Sequence, residues 1–430
     1  MNGLPQRHGS QMSTIFLGLL LHFYQPPGQT ANVLRRVVQE CYRPLLRVFQ
    51  EYPGARATFN VNGVLTEMLD DHGYSDVPAG WRALAAAGQV EFTGSGMYHP
   101  ILPLIPAAEA TRQIALNDET NRRLLGAGYR PRGFFPPEMA WDHALAPLVA
   151  RAGLDWVVLS GIACPAEWPT TQVYREGAGS RDLAVLFRDD LLSNKIAFRI
   201  TDVAGFLQDI RGVGPTGVDR YAVIAMDAET FGHHIPGWER DFLTPLFAAL
   251  TAAVGTAPTA VPNPAPTPEV HLVTLSEIVD RLPAASVVVP RTASWSTTRE
   301  DLDHHNPYPL WRHRGNEVHR LLWWHLEQAL ALLNLAEQWR DPDGTQDFAA
   351  ARAVADRALH SDQFWWASRR PHWSPAMVYR GLNMQRELIL HAVRALNLSD
   401  APDEARREAQ ERVAVARDLA NRVTDRLFWD

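Results

Sequence analysis

The chain has 430 residues, of which 46% are hydrophobic and 21% are charged, so it is neither a mostly disordered protein nor a coiled-coil rod. Its 41 Lys and Arg against 48 Asp and Glu give a net charge of −7, so nucleic acid is not expected as its main partner. Two cysteines, Cys41 and Cys164, are too few for a disulfide framework or a Cys-rich zinc site, which favours a reducing, cytoplasmic location.

Residues 1–13 are polar and are predicted to form a disordered leader. The apolar run Ile15–Leu21 that follows is too short for a signal peptide's hydrophobic region with its cleavage site, and far short of the roughly 20 residues that span a membrane. The run is therefore predicted to be a buried parallel strand, and no membrane association is expected.

From Thr14 to about Pro290, short β-branched or aromatic runs alternate with helical stretches rich in Ala, Leu and Arg. This alternation predicts a parallel α/β barrel related to the (β/α)8 type and irregular in its strand number. The predicted strands are Ile15–Phe23, Ala57–Val61, Val90–Thr93, Gly133–Phe135, Trp156–Leu159, Leu183–Phe187, Ala222–Met226, His271–Leu275 and Ser286–Val289. The predicted helices include Ala31–Glu51, Gly80–Ala87, Ala107–Leu125 and His143–Ala152.

The second part of the chain has a different pattern. A Pro/Ala/Thr-rich stretch at 256–268 predicts a surface loop within the barrel, since a strand-like run follows it directly. Beyond about Asn316 the apolar residues have helical spacing throughout, which predicts a C-terminal helical bundle (316–430) after a barrel domain (14–315). The four helices are expected at Val318–Arg340, Phe348–Leu359, Pro375–Leu396 and Glu404–Leu427.

Polar clusters follow several of the predicted strands, at the end of a barrel where active sites lie. The first, His22-Phe-Tyr-Gln25, could hydrogen-bond a polyhydroxyl ligand, or its histidine could be a satisfied core residue. The second contains His99 after two glycines and before Pro100 and Pro103, where a structural histidine is the competing interpretation.

The third and fourth clusters carry carboxylates. Glu138 follows a strand and two prolines, and such a stiff support suits a nucleophile or base; the alternative is an ion pair with Arg132. In the fourth, Asp227 and Glu229 are two residues apart on an extended segment and therefore point the same way. His233 and His234 follow them and raise a metal-site alternative, although the ligand set would be incomplete.

Tryptophans supply the last candidates. Trp295 follows the last predicted strand and is either a sugar platform or a core residue. The stretch Phe364–Trp366, together with Trp373, has the same two interpretations, whereas Trp323 and Trp324 lie within a predicted helix and are assigned to the core.

Taken in order, the first four clusters resemble the conserved regions of glycoside hydrolase family 57, retaining enzymes that act on α-glucans. The matching segments are His22-Phe-Tyr-Gln25, Val90 to Leu104, Phe134-Phe-Pro-Pro-Glu138 and Met226-Asp-Ala-Glu-Thr-Phe-Gly232. The resemblance implies an irregular (β/α)7 barrel followed by a helical domain that completes the cleft.

The resemblance also implies roles for individual residues. Glu138 would be the nucleophile and Asp227 the acid/base, with both carboxyl groups facing each other across the barrel mouth. The hydroxyl groups of an α-glucan would be held by His22, Gln25, His99 and His234, and its rings would stack on Trp141, Trp295 and Trp366. No metal or cofactor is required.

Two other classes stay open. One is a metal-dependent carbohydrate hydrolase or deacetylase on a related barrel, using Asp227 with His233 and His234. The other is a non-catalytic homologue that binds glucans without turnover.

Overall fold

The computed structural model describes residues 13–166, 168, 170–177, 183–251, 268–340 and 346–429. Within them the strands are β1 Thr14–Phe23, β2 Ala57–Val61, β3 Val90–Gly94, β4 Gly133–Phe134, β5 Trp156–Leu159, β6 Tyr174–Glu176, β7 Ala184–Phe187, β8 Arg220–Asp227, β9 Glu269–Val273 and β10 Val287–Val288. The α-helices are α1 Ala31–Val37, α2 Arg43–Glu51, α3 Gly63–Asp71, α4 Asp76–Ala86, α5 Ala107–Leu125, α6 Ala146–Arg151, α7 Asp190–Ala197, α8 Val203–Gly212, α9 Thr244–Thr251, α10 Leu275–Arg281, α11 Arg299–Asp303, α12 Glu317–Gln338, α13 Gln346–Ala358, α14 Asp362–Trp365, α15 Pro375–Leu398 and α16 Asp403–Trp429.

Seven of the strands form a ring. They pair in parallel in the order β8-β1-β2-β3-β4-β5-β7, and a parallel bridge between Arg188, directly after β7, and Val223 in β8 closes the circle. The remaining strands lie outside: β9 pairs with the first half of β1, and β6 pairs antiparallel with β7 and parallel with β10. The predicted irregular barrel is therefore confirmed, with seven strands around its axis.

The sequence prediction located nine of the ten strands within a few residues and missed β6. This strand has three residues, alternates buried and exposed positions and lies outside the ring, so it lacks the continuous apolar run of the central strands. The prediction at His271–Leu275 was two residues late, because Thr274 is the N-cap of α10 and forms a capping box with Glu277. Residues 1–12 and 256–267 lie outside the described residues.

Close packing explains the start of β4, the strand that leads to Glu138. Gly133 lies flat against Trp156 of β5, and a Cβ atom at this position would come within 2.0 Å of the indole ring. Only glycine lets the two backbones pair here, so this contact sets the path of the chain into the segment that carries Glu138.

The helical region packs on one side of the barrel. A single buried cluster contains barrel residues such as Phe134 and Trp141 together with Leu322 of α12 and Leu382 of α15. The predicted division between 315 and 316 falls at Asn316, the N-cap of α12, and stays a prediction because the apolar core is shared across it.

A buried ion-pair network fastens α13 to α5 of the barrel. Arg352 donates to Glu109 at 2.6 and 2.9 Å, and Arg112 forms a bidentate pair with Asp356 at 2.7 and 2.8 Å. The network fixes the start of the segment that leads from α13 into α14. In the part of the chain described, no helix is long and apolar enough to cross a membrane.

Candidate active site

A cleft of about 640 Å³ opens at the carboxyl ends of the barrel strands. Side chains that follow β1, β4, β7 and β8 meet there, and α14 of the helical region covers one side. Its lining includes His22, Tyr24, Gln25, Glu138, Arg188, Asp227, Glu229, His234, Trp295, Asp362, Trp365 and His372.

Glu138 is held in an unusual backbone conformation. It follows Pro136 and Pro137 and has φ 58° and ψ 18°, a left-handed conformation that is uncommon for any residue with a side chain. Such conformations concentrate at functional sites, where the surrounding structure compensates for the strain. Trp295 Nε1 donates a hydrogen bond of 2.7 Å to Glu138 Oε2, and His99 Nδ1 lies 3.7 Å from Oε1.

Burial raises the pKa of Glu138 well above its usual range, and the charges of Asp227 and Asp362 raise it further. The hydrogen bond from Trp295 opposes this rise because it stabilises the ionised carboxylate. Arg132, the ion-pair partner considered in the alternative interpretation, instead binds Asp155 and Asp280. That alternative is therefore wrong.

Asp227 ends β8, in register with His22 on β1. Burial raises the pKa of its carboxyl group, whereas the charges of His22 and Arg188 lower it. Among the described residues no hydrogen-bond partner is found for this carboxylate, which lines the cleft. Asp227 is thus a half-buried carboxyl group on the cleft wall that can exchange a proton with a bound molecule.

Glu229 is buried, and one of its two carboxylate oxygens accepts hydrogen bonds from protein side chains. The Tyr42 hydroxyl donates to Glu229 Oε1 at 2.5 Å, and Gln25 Nε2 donates to the same oxygen at 3.3 Å. Burial, followed by the charge of Asp227, raises the pKa of Glu229 to about 8. The spacing in the sequence left Asp227 and Glu229 equivalent, but in the structure Tyr42 and Gln25 donate hydrogen bonds to Glu229 and not to Asp227.

A hydrogen-bonded chain of rings lines the base of the site. His22 Nδ1 lies 2.6 Å from Asn60 Oδ1, His22 Nε2 lies 3.1 Å from His99 Nε2, and His99 Nδ1 lies 3.0 Å from Ser361 Oγ. Burial lowers the pKa of both histidines, so the neutral forms are favoured. His22 reaches the cleft, whereas His99 is buried behind it and connects the barrel to the helical region.

The sequence did not identify several residues of the cleft, among them Asp362 and Arg188, as site residues. Asp362 accepts a short hydrogen bond from the Tyr24 hydroxyl and lies 3.2 Å from His360 Nδ1. Arg188 is buried, donates to the carbonyl of Ala225 at 2.8 Å, and lies over the ring of Trp295. Both residues had a local signal in the sequence, since Arg188 follows an apolar strand and Asp362 precedes two adjacent tryptophans. Nothing in the sequence connects either residue to Glu138.

Two predicted stacking residues are not at the cleft. Trp141 is fully buried in the apolar core, where its backbone pairs with that of Ala293, so it cannot stack on a ligand. Trp366 is half-buried against the same core and meets Trp365 edge-on, and Trp365 is the ring that lines the cleft. Trp295, Gln25 and His234 lie where the sequence placed them, on the cleft wall.

The metal-dependent alternative finds no ligand set in the described part of the chain. No three His, Cys, Asp or Glu side chains there are arranged to hold a metal ion. His233, one of its two candidate histidine ligands, instead lies 2.6 Å from Oε2 of Glu40, a residue between α1 and α2.

Comparison with known proteins agrees with this architecture. Solved structures that resemble the chain include a 4-alpha-glucanotransferase from Thermococcus litoralis, with a TM-score of 0.68 and 20% identity over 90% of this chain and 60% of that one. Another is a branching enzyme from Thermococcus kodakaraensis, with a TM-score of 0.65 and 16% identity over 94% and 95% of the two chains. At these identities the likeness establishes the fold.

Curated relatives match about half of the chain. An alpha-amylase of Pyrococcus horikoshii is 29% identical over 240 residues, which are 52% of this chain and 36% of the relative. A 4-alpha-glucanotransferase of Thermococcus litoralis is 27% identical over 248 residues, 54% and 36% of the two. The match thus spans about a third of the length of these relatives. The model of glycosyl hydrolase family 57 matches residues 20–290, which include Glu138 and Asp227. The chain belongs to glycosyl hydrolase family 57.

Proposed function

We propose that the chain is a retaining glycosidase or transglycosylase of α-glucans, with Glu138 as nucleophile and Asp227 as acid/base. One observation carries the proposal. Two half-buried carboxyl groups, Glu138 shortly after β4 and Asp227 at the end of β8, line one cleft, and the charge of Asp227 raises the pKa of Glu138. Retaining glycosidases use two closely placed carboxyl groups of this kind on opposite sides of the scissile bond.

The reaction would proceed in two displacements. Glu138 attacks the anomeric carbon while the glycosidic C–O bond breaks and Asp227 gives its proton to the leaving oxygen. Asp227 then takes a proton from water or from a sugar hydroxyl group, whose oxygen displaces Glu138 from the sugar. Water gives hydrolysis and a sugar hydroxyl gives transfer, so exclusion of water from the cleft selects between them.

The electrostatics support a resting state with one proton on the pair. The charge of Asp227 raises the pKa of Glu138, so ionisation of both carboxyl groups at once is disfavoured. The N–H of Trp295 stabilises the charge on Glu138, whereas the Asp227 carboxylate has no such donor among the described residues. General acid catalysis requires the proton on Asp227. In the empty cleft the raised pKa of Glu138 opposes this, as do the charges of His22 and Arg188, which lower the pKa of Asp227, so transfer of the proton to Asp227 has to accompany substrate binding.

The walls suit a neutral, ring-shaped substrate. His22, Gln25 and His234 present hydrogen-bonding groups to the cleft, and Trp295 and Trp365 present rings. His99 supports His22 from behind. The relatives named alpha-amylase and 4-alpha-glucanotransferase support an α-glucan as the substrate. Both cysteines are free and buried, which supports a cytoplasmic location.

Glu138→Ala tests the proposal. The variant is expected to lose nearly all turnover of malto-oligosaccharides and to keep binding them. With an activated α-glycosyl substrate, added azide should restore reaction and give a β-glycosyl azide. Glu119→Ala, which removes an exposed carboxylate of α5, is the matched control and should behave as the parent. Near-parental turnover by Glu138→Ala would refute the assignment, and a parent that binds without turnover would favour the non-catalytic alternative.

A further inference from the structure

A second cavity, of about 640 Å³, lies between residues 305–314 and the α12 residues 319–327. We call it the arginine cavity because Arg312, Arg314 and Arg320 lie on its rim. It is distinct from the catalytic cleft, with which it shares no lining residue.

The charges around the arginine cavity are unbalanced. Arg320 has a carboxylate partner, Glu317 at 3.4 Å. Within the described ranges, no carboxylate lies within ion-pair distance of the Arg312 or Arg314 guanidinium groups. Glu327 is the one acidic residue of the lining. Two free guanidinium groups at one hollow favour an anion, and their planar donors match the oxygens of a phosphate.

One wall is aromatic. Trp324 is 44% exposed and lines the arginine cavity beside the buried Trp323. An exposed indole next to a few placed polar groups is the composition of sites for small molecules with a flat apolar face. Together these walls match a ring with hydroxyl groups and a phosphate.

We propose that the arginine cavity binds a phosphorylated sugar, either a free hexose phosphate or a phosphate ester on a glucan chain. Arg312 and Arg314 bind the phosphate, and Trp324 covers the ring. Binding here requires no turnover, so the proposal stands independently of the reaction assigned to Glu138 and Asp227.

The arginine cavity is joined to the catalytic cleft through α14. His319 lies in its wall and its Nε2 is 2.8 Å from the carbonyl oxygen of Phe364. Trp323 stacks on the Phe364 ring with centroids 4.0 Å apart and an interplanar angle of 3°. The same short helix carries Asp362 and Trp365 to the cleft. A ligand that contacts His319 or Trp323 therefore changes the support of α14, and the affinities of the two sites are linked.

Calorimetric titration of the full chain tests the binding. The probes are glucose 6-phosphate, glucose 1-phosphate, inorganic phosphate and a phosphorylated malto-oligosaccharide, with glucose as the uncharged reference. We expect the sugar phosphates to bind more tightly than phosphate or glucose. The variant Arg312→Gln/Arg314→Gln should weaken them at least about tenfold, because it removes two charge-assisted contacts.

The control is Arg151→Gln/Arg407→Gln, which removes the same charge from two exposed arginines outside both cavities and should bind as the parent. Preference for the hexose phosphates identifies a free ligand, and preference for the phosphorylated oligosaccharide identifies a modified glucan. Equal weakening in both double variants, or no binding of any phosphorylated probe by the folded parent, would overturn the proposal. A maltoheptaose affinity that is unchanged by saturating sugar phosphate would overturn the linkage through α14.

Discussion

Trp295→Phe removes the hydrogen bond that the indole N–H of Trp295 donates to the Glu138 carboxylate. An aromatic ring stays on the cleft wall. A hydrogen bond to a charged group is worth roughly 1.5–3 kcal/mol. Since the bond favours the ionised form, its loss should raise the pKa of Glu138 by about one to two pH units.

The direction of the shift in the pH profile follows from the role of Glu138, which attacks the sugar only when it is ionised. A higher pKa shrinks the ionised fraction on the acidic side, so the acidic limb of the kcat/KM profile should move to higher pH by about one to two units. Well below that limb the rate should fall roughly 10- to 100-fold, and the alkaline limb should stay in place.

The assay is kcat/KM for a chromogenic α-glycoside across the pH range in which the protein stays folded. Trp365→Phe is the matched control, because it also removes an indole N–H from the cleft but leaves Glu138 its donor. Its acidic limb should not move. A Trp295→Phe profile with an unmoved or more acidic limb would refute the reasoning that Trp295 holds the charge on Glu138.

Asp227→Asn should lower turnover about 10²–10⁴-fold, with smaller losses for substrates with good leaving groups, whereas Glu229→Gln should mainly raise KM by releasing Gln25. Rates measured on a series of substrates with different leaving groups distinguish the two variants. The reverse pattern would exchange the roles of Asp227 and Glu229. Trp365→Ala should weaken maltoheptaose binding several-fold at unchanged melting temperature, whereas Trp366→Ala should lower the melting temperature at unchanged affinity. Maltoheptaose titration and thermal melting of both variants measure the two effects. The opposite result would place Trp366 at the cleft. Glu109→Gln removes two charge-assisted hydrogen bonds from Arg352, which keeps its 3.2 Å contact with Asp356, and should reduce the free energy of unfolding by roughly 1.5–3 kcal/mol in urea titration. A loss below about 1 kcal/mol would show that the pair is as weak as an exposed one.

The barrel and its catalytic candidates could be predicted from the sequence. A buried parallel strand is a short run of apolar residues, and all parallel strands of a barrel end at the same mouth. Glu138 and Asp227 directly follow such runs, so their meeting was predictable without any knowledge of packing. Their neighbours His22 and Gln25 were predictable for the same reason.

The helical side of the site was not predictable in this way. Asp362 meets Tyr24 across 338 positions of sequence, and His99 meets Ser361 across 262. These contacts depend on how α13 is fastened to the barrel by Arg352, and no local pattern records it. The sequence did show that residues 361–375 are unusually rich in tryptophan and in charged residues.

Distinguishing similar side chains required the tertiary structure. The side chains of Asp227 and Glu229 lie at the same strand end and point the same way, yet Tyr42 and Gln25 donate hydrogen bonds only to Glu229. Trp141 and Trp295 both follow barrel strands, yet one is sealed in the core and the other donates to Glu138. Residue type and strand position are local properties that the sequence determines, whereas burial and hydrogen-bond partners depend on side chains that reach the same place from distant parts of the chain.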